Sequence, residues 1–458
     1  MHRFAIEDLR AWKKNTPRKP LIVRGARQVG KTHLVREFAA EQYTHLLEIN
    51  FERNPEVAAL FGSKDPRKIL QLLELQYNTA IEPGQTLIFL DEIQAAPEAL
   101  ETLRFFSDEL PALSIIAASS LLEFALAAAM QPVPMGRIAQ LHLGPMQFEE
   151  FLLALGKEKL AQFIQGYRGG DQIPQPVHIT LMGLLNLFLA TGGMPEAVSS
   201  YCEGSSWQAC EAVKQSLWQT LQDDFHKYGL HARHDRLQLV LNKIPLQVGK
   251  KFRYVTVDRK QRANEIAKAL SLLCRAKVAY PVYHSESDGL PLAATVSKKK
   301  FKVYLMDVGL LSSAAGLSLL DYEQAEDIMA VYDSAICRQF IGQHLLYAMP
   351  AYQSPELYYW ARDKKNSAAA VDFVFVAGSR IVPVEVKAGK DGALKSLHLF
   401  IREKACPLGV RFNNQPPSLI KTQTSVADGN NVDYLLLSLP LYLVGQLQRI
   451  LSEIGNGG

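Results

Sequence analysis

The residues of this chain best suited to chemistry begin with a glycine-rich stretch at positions 25–32, which reads Gly-Ala-Arg-Gln-Val-Gly-Lys-Thr. A short apolar run precedes it and a helix-compatible run follows, which is the strand–loop–helix context of a phosphate-binding loop (P-loop). Lys31 is predicted to reach the β- and γ-phosphates of ATP, and the Thr32 hydroxyl to ligate Mg²⁺. The alternative, an ordinary glycine turn, would need the flanking strand and helix by coincidence. The residues predicted to bind ATP here are Gly25, Ala26, Arg27, Gln28, Val29, Gly30, Lys31 and Thr32.

Two carboxylates, Asp91 and Glu92, follow the apolar run 87–90 and form the second candidate catalytic group. Carboxylates at the C-terminal end of a strand face the crevice in which open α/β sheets bind ligands. Asp91 is therefore predicted to hold the Mg²⁺ that accompanies ATP, and Glu92 to polarise the attacking water. Such a pair is often only a strand end, but here it follows the P-loop by about sixty residues, with a candidate strand at 46–50 between them. This arrangement indicates the branch of P-loop proteins in which a glutamate serves as the base.

Two further residues are candidates with an ordinary alternative each. Ser120 ends a predicted strand at 114–120 and is a candidate sensor of the γ-phosphate, or else a plain cap for a helix at 121–130. Arg137 follows Gly136 and is a candidate arginine finger that stabilises transition-state charge, as a third catalytic residue beside Glu92 and Lys31. A surface arginine after a turn glycine fits the same spacing, so the sequence leaves both alternatives open.

A second region with candidate chemistry is the stretch 371–387 near the C-terminus. The Gly-Ser pair at 378–379 fits a two-residue hairpin loop, with glycine supplying the positive φ of the first position. That register places Asp372 opposite Glu385, and facing carboxylates repel unless a cation lies between them. Lys387 falls on the same face of the hairpin. Two acids and a lysine in this order are the metal-and-lysine arrangement of restriction-type nucleases, so Asp372 and Glu385 are a candidate second metal site.

Basic residues are concentrated in the middle of the chain, where predicted helices at 236–248 and 261–272 precede predicted strands at 276–284 and 301–306. Helices followed by a β-hairpin are the layout of a winged helix. The basic side chains would attract the phosphates of DNA or RNA. A solvated basic face, or a winged helix that packs only against protein, is the alternative. These basic residues are Lys250, Lys251, Arg253, Arg259, Lys260, Arg262, Lys268, Lys298, Lys299 and Lys300.

The overall composition is that of an ordinary globular protein able to position these groups. The chain has 458 residues, of which 48% are hydrophobic and 21% charged, and its formal net charge is +4. This length corresponds to about three domains. The five cysteines form no C-x-x-C pair, so neither a zinc ribbon nor a disulfide scaffold is expected. The N-terminus is charged and no apolar run is long enough to span a bilayer, so a cytoplasmic protein without membrane contact is expected.

The motifs and periodicities divide the chain into four predicted regions. The first, residues 1–155, is a doubly wound α/β P-loop ATPase domain. A helical linker or lid is predicted at 156–235, with a break at 191–195 between its helices. A winged-helix-like domain is predicted at 236–320. The last region, 321–458, is predicted to be a restriction-endonuclease-like α/β domain.

The order of short motifs along nearly the whole chain resembles that of one family. The motifs are, in order, GARQVGKT, FLDEIQ, IIAASSLLE, MGR, GPMQFEEFL, GGMPE, KVYLMDVGL and PVEVK. In this order they resemble the bacterial and archaeal AAA-type ATPases whose C-terminal half is an uncharacterised, restriction-nuclease-like domain. The resemblance implies that ATP and Mg²⁺ are the cofactors and that the C-terminal half has a nuclease-like fold.

The chain departs from the pattern of this family at several positions. Ser119 stands where the family usually has glycine, which makes the backbone there less permissive. The family has a glutamate near the position of Arg338 and another at the position of Ala370. An arginine in place of an acid lowers the affinity of the site for a cation, and Lys387 loses a partner opposite Ala370. A degenerate domain used for binding or assembly is therefore favoured over an intact nuclease.

The sequence thus predicts an ATPase whose hydrolysis drives or switches a C-terminal module, with DNA as a candidate substrate of that module. One alternative is an ATP-gated, metal-dependent DNA nuclease. Another is a binding or signalling protein that ATP switches without significant turnover. A homo-oligomer is possible, and Arg137 would indicate one only if it acts in trans, which its spacing does not decide.

Overall fold

The computed structural model describes residues 1–120, 122, 135–204, 206–223, 231–317, 335–363, 368–387, 394–424 and 432–456. The strands are β1 (Leu21–Arg24), β2 (His45–Asn50), β3 (Thr86–Asp91), β4 (Ser114–Ser119), β5 (Ala139–His142), β6 (Ala279–Ser285), β7 (Val296–Leu305), β8 (Tyr358–Ala361), β9 (Ala370–Ala377), β10 (Arg380–Val386), β11 (Leu408–Asn413), β12 (Ser418–Thr424) and β13 (Val432–Pro440). The α-helices are α1 (Ala5–Lys14), α2 (Lys31–Gln42), α3 (Pro66–Tyr77), α4 (Pro97–Glu109), α5 (Phe148–Ala154), α6 (Glu158–Gly166), α7 (Gln175–Thr191), α8 (Pro195–Gly204), α9 (Trp207–Asp223), α10 (His231–Lys243), α11 (Tyr254–Val257), α12 (Ala263–Arg275), α13 (Val308–Ala314), α14 (Ala335–Leu346), α15 (Lys395–Lys404) and α16 (Leu447–Asn456).

The N-terminal part is built on a five-stranded parallel sheet with the order β2-β3-β4-β1-β5. Strands β1, β3 and β4 are buried along their whole length, as expected for the continuous apolar runs that form central parallel strands. Strand β4 lies between β1 and β3 and pairs with both. The P-loop after β1 and the two carboxylates at the end of β3 therefore meet at one edge of the sheet.

Both faces of this sheet are covered, as a doubly wound fold requires. Val23 and Phe89 belong to one apolar core, whereas their sequence neighbours Ile22 and Leu90 belong to a second core on the opposite face. The first core is continuous with apolar residues of the helical segment and of the C-terminal half. The ATPase-like sheet is thus joined to the rest of the molecule through packed side chains and not only through the chain.

The helical segment that follows bridges the two halves of the molecule. Its break after α7 is anchored on both sides: the Met146 N–H donates to the Gly193 carbonyl at 2.7 Å, and the Gly193 N–H donates to Asp307 Oδ2 at 2.7 Å. Met146 belongs to the N-terminal part and Asp307 caps α13 in the C-terminal half, accepting from the Leu310 N–H. The break therefore carries a direct backbone link between them.

The C-terminal half contains one eight-stranded mixed sheet with the order β12-β13-β11-β10-β9-β8-β6-β7. The hairpin β6–β7, predicted as the wing of a winged helix, forms one end of this sheet because β6 pairs in parallel with β8. Strands from both sides of residue 320 thus share one sheet, so the boundary predicted there crosses a continuous structural element.

The predicted register of the β9–β10 hairpin is confirmed. Ala377 pairs with Arg380, and the pairing continues to Phe373 opposite Val384. The next residues on the two strands are Asp372 and Glu385. A two-residue loop is short enough that local turn chemistry decides the register.

Several element boundaries differ from the predicted ones. The helix predicted at 236–248 ends at Lys243 and is followed by a 3₁₀ turn, Pro245–Gln247, because Pro245 cannot continue the α-helical hydrogen bonding. The helix predicted at 121–130 lies outside the described residues except for Leu122. Among the described residues no single helix is long and apolar enough to cross a membrane; only α7 and α8 taken together, across a bend of 120°, reach the required length and composition.

Candidate functional site

The P-loop takes the geometry that its two glycines permit. Gly30 has φ +91°, a left-handed conformation that favours glycine, and it starts helix α2. A Cβ atom at Gly25 would lie 2.2 Å from the Leu143 carbonyl oxygen, so only glycine fits where the loop passes the end of β5. The loop therefore presents the N-terminus of α2 as a candidate phosphate-binding site.

Lys31 is buried at the base of this loop, with 6% of its surface exposed. Its ammonium donates to the carbonyl oxygens of Gly25 at 3.2 Å and Ala26 at 2.8 Å. Burial lowers the pKa of Lys31 to about 8, against the opposing effect of the nearby Glu92 and Asp91 carboxylates. The Lys31 ammonium is thus held by two backbone carbonyl oxygens, and a phosphate oxygen can replace them as its hydrogen-bond acceptors.

Thr32 and Asp91 lie together as a candidate Mg²⁺ site. Thr32 Oγ1 donates to Asp91 Oδ2 at 3.1 Å, and Asn50 Nδ2 donates to the same oxygen at 3.1 Å. Burial and the charge of Glu92 raise the pKa of Asp91, which is 4% exposed. Among the described residues Asp91 forms no ion pair, and a hydroxyl and a carboxylate are oxygen ligands suited to Mg²⁺. This donor set therefore fits the ion that ATP carries.

Asn50 was missed by the sequence reasoning. It ends β2, which pairs with β3 so that Asn50 lies beside Asp91. The available signal was its position at the end of the candidate strand 46–50, at the edge where parallel strands present their ligands.

Glu92 is held by a small hydrogen-bond network. Its backbone has φ 52° and ψ 45°, a left-handed conformation that costs a non-glycine residue roughly 1–2 kcal/mol. Glu92 Oε2 accepts from Gln94 Nε2 at 2.5 Å and from Ser120 Oγ at 3.2 Å. Gln94 Oε1 in turn accepts from Ser119 Oγ at 2.5 Å. The structure thus brings Ser120 to the site, where it contacts the candidate base, and adds Gln94, which the sequence reasoning missed.

The cavity in front of the P-loop has a volume of about 440 Å³. Its walls include Glu52 and Glu92, and the helical segment closes one side with Pro195, Glu196 and Thr220. The sequence signal for Pro195 and Glu196 was the Gly-Gly-Met-Pro-Glu motif at 192–196, which by itself indicates no particular chemistry. The remaining lining residues are Arg27, Gln28, Gly30, Lys31, Thr32 and His33.

Arg3 supports the P-loop from behind and was also missed. It is 4% exposed. Its guanidinium donates to the carbonyl oxygens of Val29 at 2.8 Å and Gly144 at 2.7 Å, and it pairs with Glu150 at 3.2 Å. Val29 therefore contributes to the site through its backbone, and the loop is tied to the segment that precedes α5.

Arg137 does not lie in the nucleotide cavity of its own chain. It pairs with Asp108 at 3.2 Å, and both side chains are largely exposed. Because β5 is parallel to β1 and Ala139 lies opposite Leu21, Arg137 is at the N-terminal edge of the sheet. The P-loop leaves the other edge, four strand residues away, or about 13 Å. In this structure Arg137 therefore lies away from the nucleotide cavity of its own chain, and its role as an arginine finger, in cis or in trans, stays a prediction.

The carboxylates of the β9–β10 hairpin face protein cations. Asp372 Oδ1 pairs with Arg338 Nε at 2.8 Å and with Lys302 Nζ at 3.4 Å, and Oδ2 accepts from the Val386 N–H at 3.1 Å. Burial raises the pKa of Asp372, but Lys302 and Arg338 outweigh it and hold the pKa below its usual value. Both oxygens of this carboxylate therefore already have partners.

The second carboxylate, Glu385, pairs with Lys387 at 3.2 Å. Burial, with Asp372 adjacent, raises the pKa of Glu385 to about 7. Within the described part of the chain, no group of three or more His, Cys, Asp or Glu residues could hold a metal ion. As placed, Asp372 and Glu385 do not fit a divalent cation, because Arg338 and Lys302 supply the positive charge that the predicted metal would have supplied.

The predicted basic patch forms in part along the outer edge of β7. Lys251 forms an isolated antiparallel bridge with Lys302, and the Phe252 N–H donates to the Phe301 carbonyl at 2.8 Å. The turn that carries Lys251 therefore runs along the same strand as Lys298 and Lys299, which are exposed. Lys300, another lysine of the predicted basic patch, is neutralised because it pairs with Asp363 at 2.7 Å.

Comparison with family models supports the class of the N-terminal part. Residues 17–152 match a model described as an AAA domain. Residues 182–321 and 334–435 match two models described as domains of unknown function, DUF8612 and DUF4143. With the parallel sheet and the P-loop, the first match defines an AAA-type P-loop ATPase domain, a class that binds and hydrolyses ATP. No curated protein matches the chain.

Three solved structures show some similarity to this chain. The Walker-type ATPase PABY2304 of Pyrococcus abyssi is 15% identical, with a TM-score of 0.44, and the match covers 68% of this chain and 94% of that one. The Aeropyrum pernix ORC2 protein, in its ADPNP–ADP complexes, is 15% identical, with a TM-score of 0.38 and coverages of 71% and 96%. PCH-2 of C. elegans is 14% identical, with a TM-score of 0.28 and coverages of 47% and 66%.

Proposed function

We propose that this chain is a Mg²⁺-dependent ATPase whose hydrolytic cycle drives or switches its C-terminal half, with DNA as the substrate on which that half acts. The observation that carries the proposal is the meeting of four groups at one edge of the sheet. Thr32 and Asp91 lie 3.1 Å apart, Lys31 occupies the base of the P-loop, and Glu92 follows Asp91 directly.

Each of these residues has a distinct task in the proposed reaction. Lys31 offsets phosphate charge, and Thr32 with Asp91 would hold Mg²⁺, which when bound neutralises charge on the β- and γ-phosphates. Glu92 orients the attacking water and accepts its proton. Ser120 and Gln94 position the Glu92 carboxylate through the hydrogen bonds at 3.2 and 2.5 Å.

Coupling to the C-terminal half is supported by the short segment after α7. Pro195 and Glu196 line the nucleotide cavity. Two residues earlier, the Gly193 N–H donates to Asp307 Oδ2, and Val308 beside it donates its N–H to Gln343 of α14 at 2.8 Å. A change in the cavity that moves Pro195 would therefore shift the cap of α13 and the helix that carries Arg338.

The test is the ATPase rate of the full chain with Mg²⁺, with and without DNA. Replacing Glu92→Gln keeps the shape and removes the base, so we expect kcat to fall about 100-fold or more while ATP binding persists. Glu109→Gln, the same change at an exposed position in α4, is the matched control and should leave the rate unchanged. DNA is expected to change the parent rate.

Three results would contradict the proposal in different ways. Parent turnover that is unmeasurable would favour an ATP-operated switch without hydrolysis. Measurable turnover that is unchanged in Glu92→Gln would refute the assignment of Glu92 as the base. A robust rate that responds to Glu92→Gln but not to DNA would leave the ATPase in place and remove DNA as the substrate.

The alternative of an ATP-gated nuclease has less support, because Arg338 and Lys302 already pair with Asp372, one of the two predicted metal ligands. We propose instead that the Asp372 cluster is structural. Incubating plasmid DNA with the parent and with Asp372→Ala, in Mg²⁺ or Mn²⁺, distinguishes the two. Cleavage by the parent that is lost in the variant would establish the nuclease.

A further inference from the structure

Three neighbouring strands of the eight-stranded sheet place aromatic residues side by side. Tyr283 of β6 pairs with Phe301 of β7 and with Tyr358 of β8. Residues directly opposite one another on paired strands project from the same face. The ring centroids of Tyr283 and Phe301 are 6.0 Å apart. Phe301 is buried, whereas Tyr283 and Tyr358 are half-buried, so two aromatic side chains of the row remain accessible.

These two tyrosines line a groove of about 500 Å³ beside helix α12. Its walls carry three cations, Arg275, Lys277 and Lys298, and one carboxylate, Glu356. The carboxylate accepts a hydrogen bond from the Tyr358 hydroxyl at 2.6 Å. The lining of the groove therefore combines two tyrosine rings with a net positive charge.

The positive character continues along the helix. A second cavity of about 210 Å³ shares Arg275 with the groove and is also lined by Arg236 and Lys268. Both of these pair with Glu265 at 2.9 Å, so together the three residues carry one net positive charge. Among the described residues, the side chains of Arg275 and Lys298 have no hydrogen-bond or ion-pair partner, so they can bind an anion without losing protein contacts.

We propose that this groove binds a single strand of nucleic acid, with bases stacked on Tyr283 and Tyr358 and phosphates held by Arg275, Lys277 and Lys298. The inference rests on the proposed function and names the form of the nucleic acid that the C-terminal half takes. Aromatic side chains on a sheet face stack unpaired bases, and flanking cations follow the backbone. A duplex hides its base faces, and an acidic peptide would use the cations but gain nothing from the tyrosine rings.

The experiment measures the affinity of the full-length protein for a labelled oligothymidylate of about 16 nucleotides, and for a duplex of the same length, by fluorescence anisotropy. Binding is measured between about 50 and 200 mM salt, without nucleotide and with Mg-ATP. The parent is expected to bind the single strand at least about tenfold more tightly than the duplex. An unlabelled oligoglutamate peptide of equal length serves as competitor.

Two kinds of variant separate stacking from charge. Tyr283→Leu with Tyr358→Leu should weaken single-strand binding about tenfold or more with an unchanged salt dependence. Arg275→Gln with Lys298→Gln, at exposed positions, should weaken it and reduce the slope of log K against log salt by about 1.4, or 0.7 for each lost contact. Tyr352→Leu makes the same change at a tyrosine that is 67% exposed and outside the groove, and should bind as the parent does. Melting temperature and basal ATPase rate confirm that each variant is folded.

The proposal is overturned if the parent prefers duplex, if the tyrosine variant binds as the parent does, or if oligoglutamate competes as well as the single strand. The two measurements distinguish a refuted groove assignment from a refuted proposed function. A tyrosine-dependent single-strand affinity with an ATPase rate that ignores DNA would support the groove and refute the coupling. An ATPase rate that responds to DNA, together with normal single-strand binding by the tyrosine variant, would support the coupling and refute the groove.

Discussion

Replacing Asp372→Asn tests whether protein cations, and not a metal, hold the β9–β10 hairpin together. The substitution keeps the size of the side chain and removes its charge. Asp372 and Lys302 are 6% and 5% exposed, and the Arg338 side chain is 21% exposed. Without the carboxylate, a buried ammonium and a largely buried guanidinium lose the anion to which they are paired at 3.4 and 2.8 Å.

The expected loss in the free energy of unfolding has an upper and a lower limit. Removing one partner of a buried ion pair costs roughly 3–5 kcal/mol. Two features favour the lower end: Arg338 can turn toward water, and burial already lowers the pKa of Lys302 so that it can release its proton. About 3 kcal/mol in a cooperative unit of 150–250 residues lowers the melting temperature by roughly 6–12 °C.

The assay is thermal melting of the parent and variant in EDTA and in Mg²⁺. Asp433→Asn, the same change at an exposed position of the same sheet, should shift the melting temperature by no more than a degree or two. Adding Lys302→Met to Asp372→Asn should recover part of the loss, because it removes one unpaired charge. An Asp372→Asn protein that melts with the parent, or a parent that Mg²⁺ stabilises strongly through this site, would refute the reasoning.

Two further predictions concern pH. The pKa of Lys31 is lowered to about 8, so ATP affinity should fall as pH rises above 8, because the neutral amine no longer offsets phosphate charge. Equilibrium binding of ATP from pH 7 to 10 measures this fall. The Lys31→Met variant should bind ATP weakly, with no such pH dependence. The pKa of Glu385 is raised to about 7 from 4.5, so the folded state holds a proton that the unfolded state releases. The stabilisation from this group is complete below about pH 4 and is lost as pH rises through 7, at most about 3 kcal/mol. Melting temperatures at pH 5 and pH 8 should show this loss in the parent and not in Glu385→Gln; equal losses in both proteins would place the titration elsewhere.

Features that depend on consecutive residues were predictable from the sequence. The P-loop is one stretch of eight residues, and its flanking strand and helix are local consequences of apolar runs and glycine positions. The register of β9 and β10 followed from a two-residue turn, which leaves no freedom to slide. The parallel sheet with Asp91 and Glu92 at the ligand-binding edge followed from the continuous apolar run of β3.

Side chains that reach the site from distant segments were not predictable. Asn50 and Gln94 come to the carboxylates only through strand order and turn geometry. Arg3 contacts the P-loop through the Val29 carbonyl oxygen, and Pro195 reaches Gly30 only because the helical segment packs against the loop. The motif at 192–196 was visible, but nothing local indicates which cavity it closes.

The sequence by itself determined that this chain has the chemistry of an AAA-type ATPase, because the groups that bind phosphate are held by local backbone geometry. The sequence also argued against a metal site at Asp372 and Glu385, because Arg338 and Ala370 stand where the family has glutamates. Only the tertiary structure decided that Arg338 and Lys302 converge on Asp372, and that β6 and β7 join the C-terminal sheet and align Tyr283 with Tyr358. Ion pairing and cross-strand alignment between distant segments depend on how the sheets pack, which no local pattern encodes.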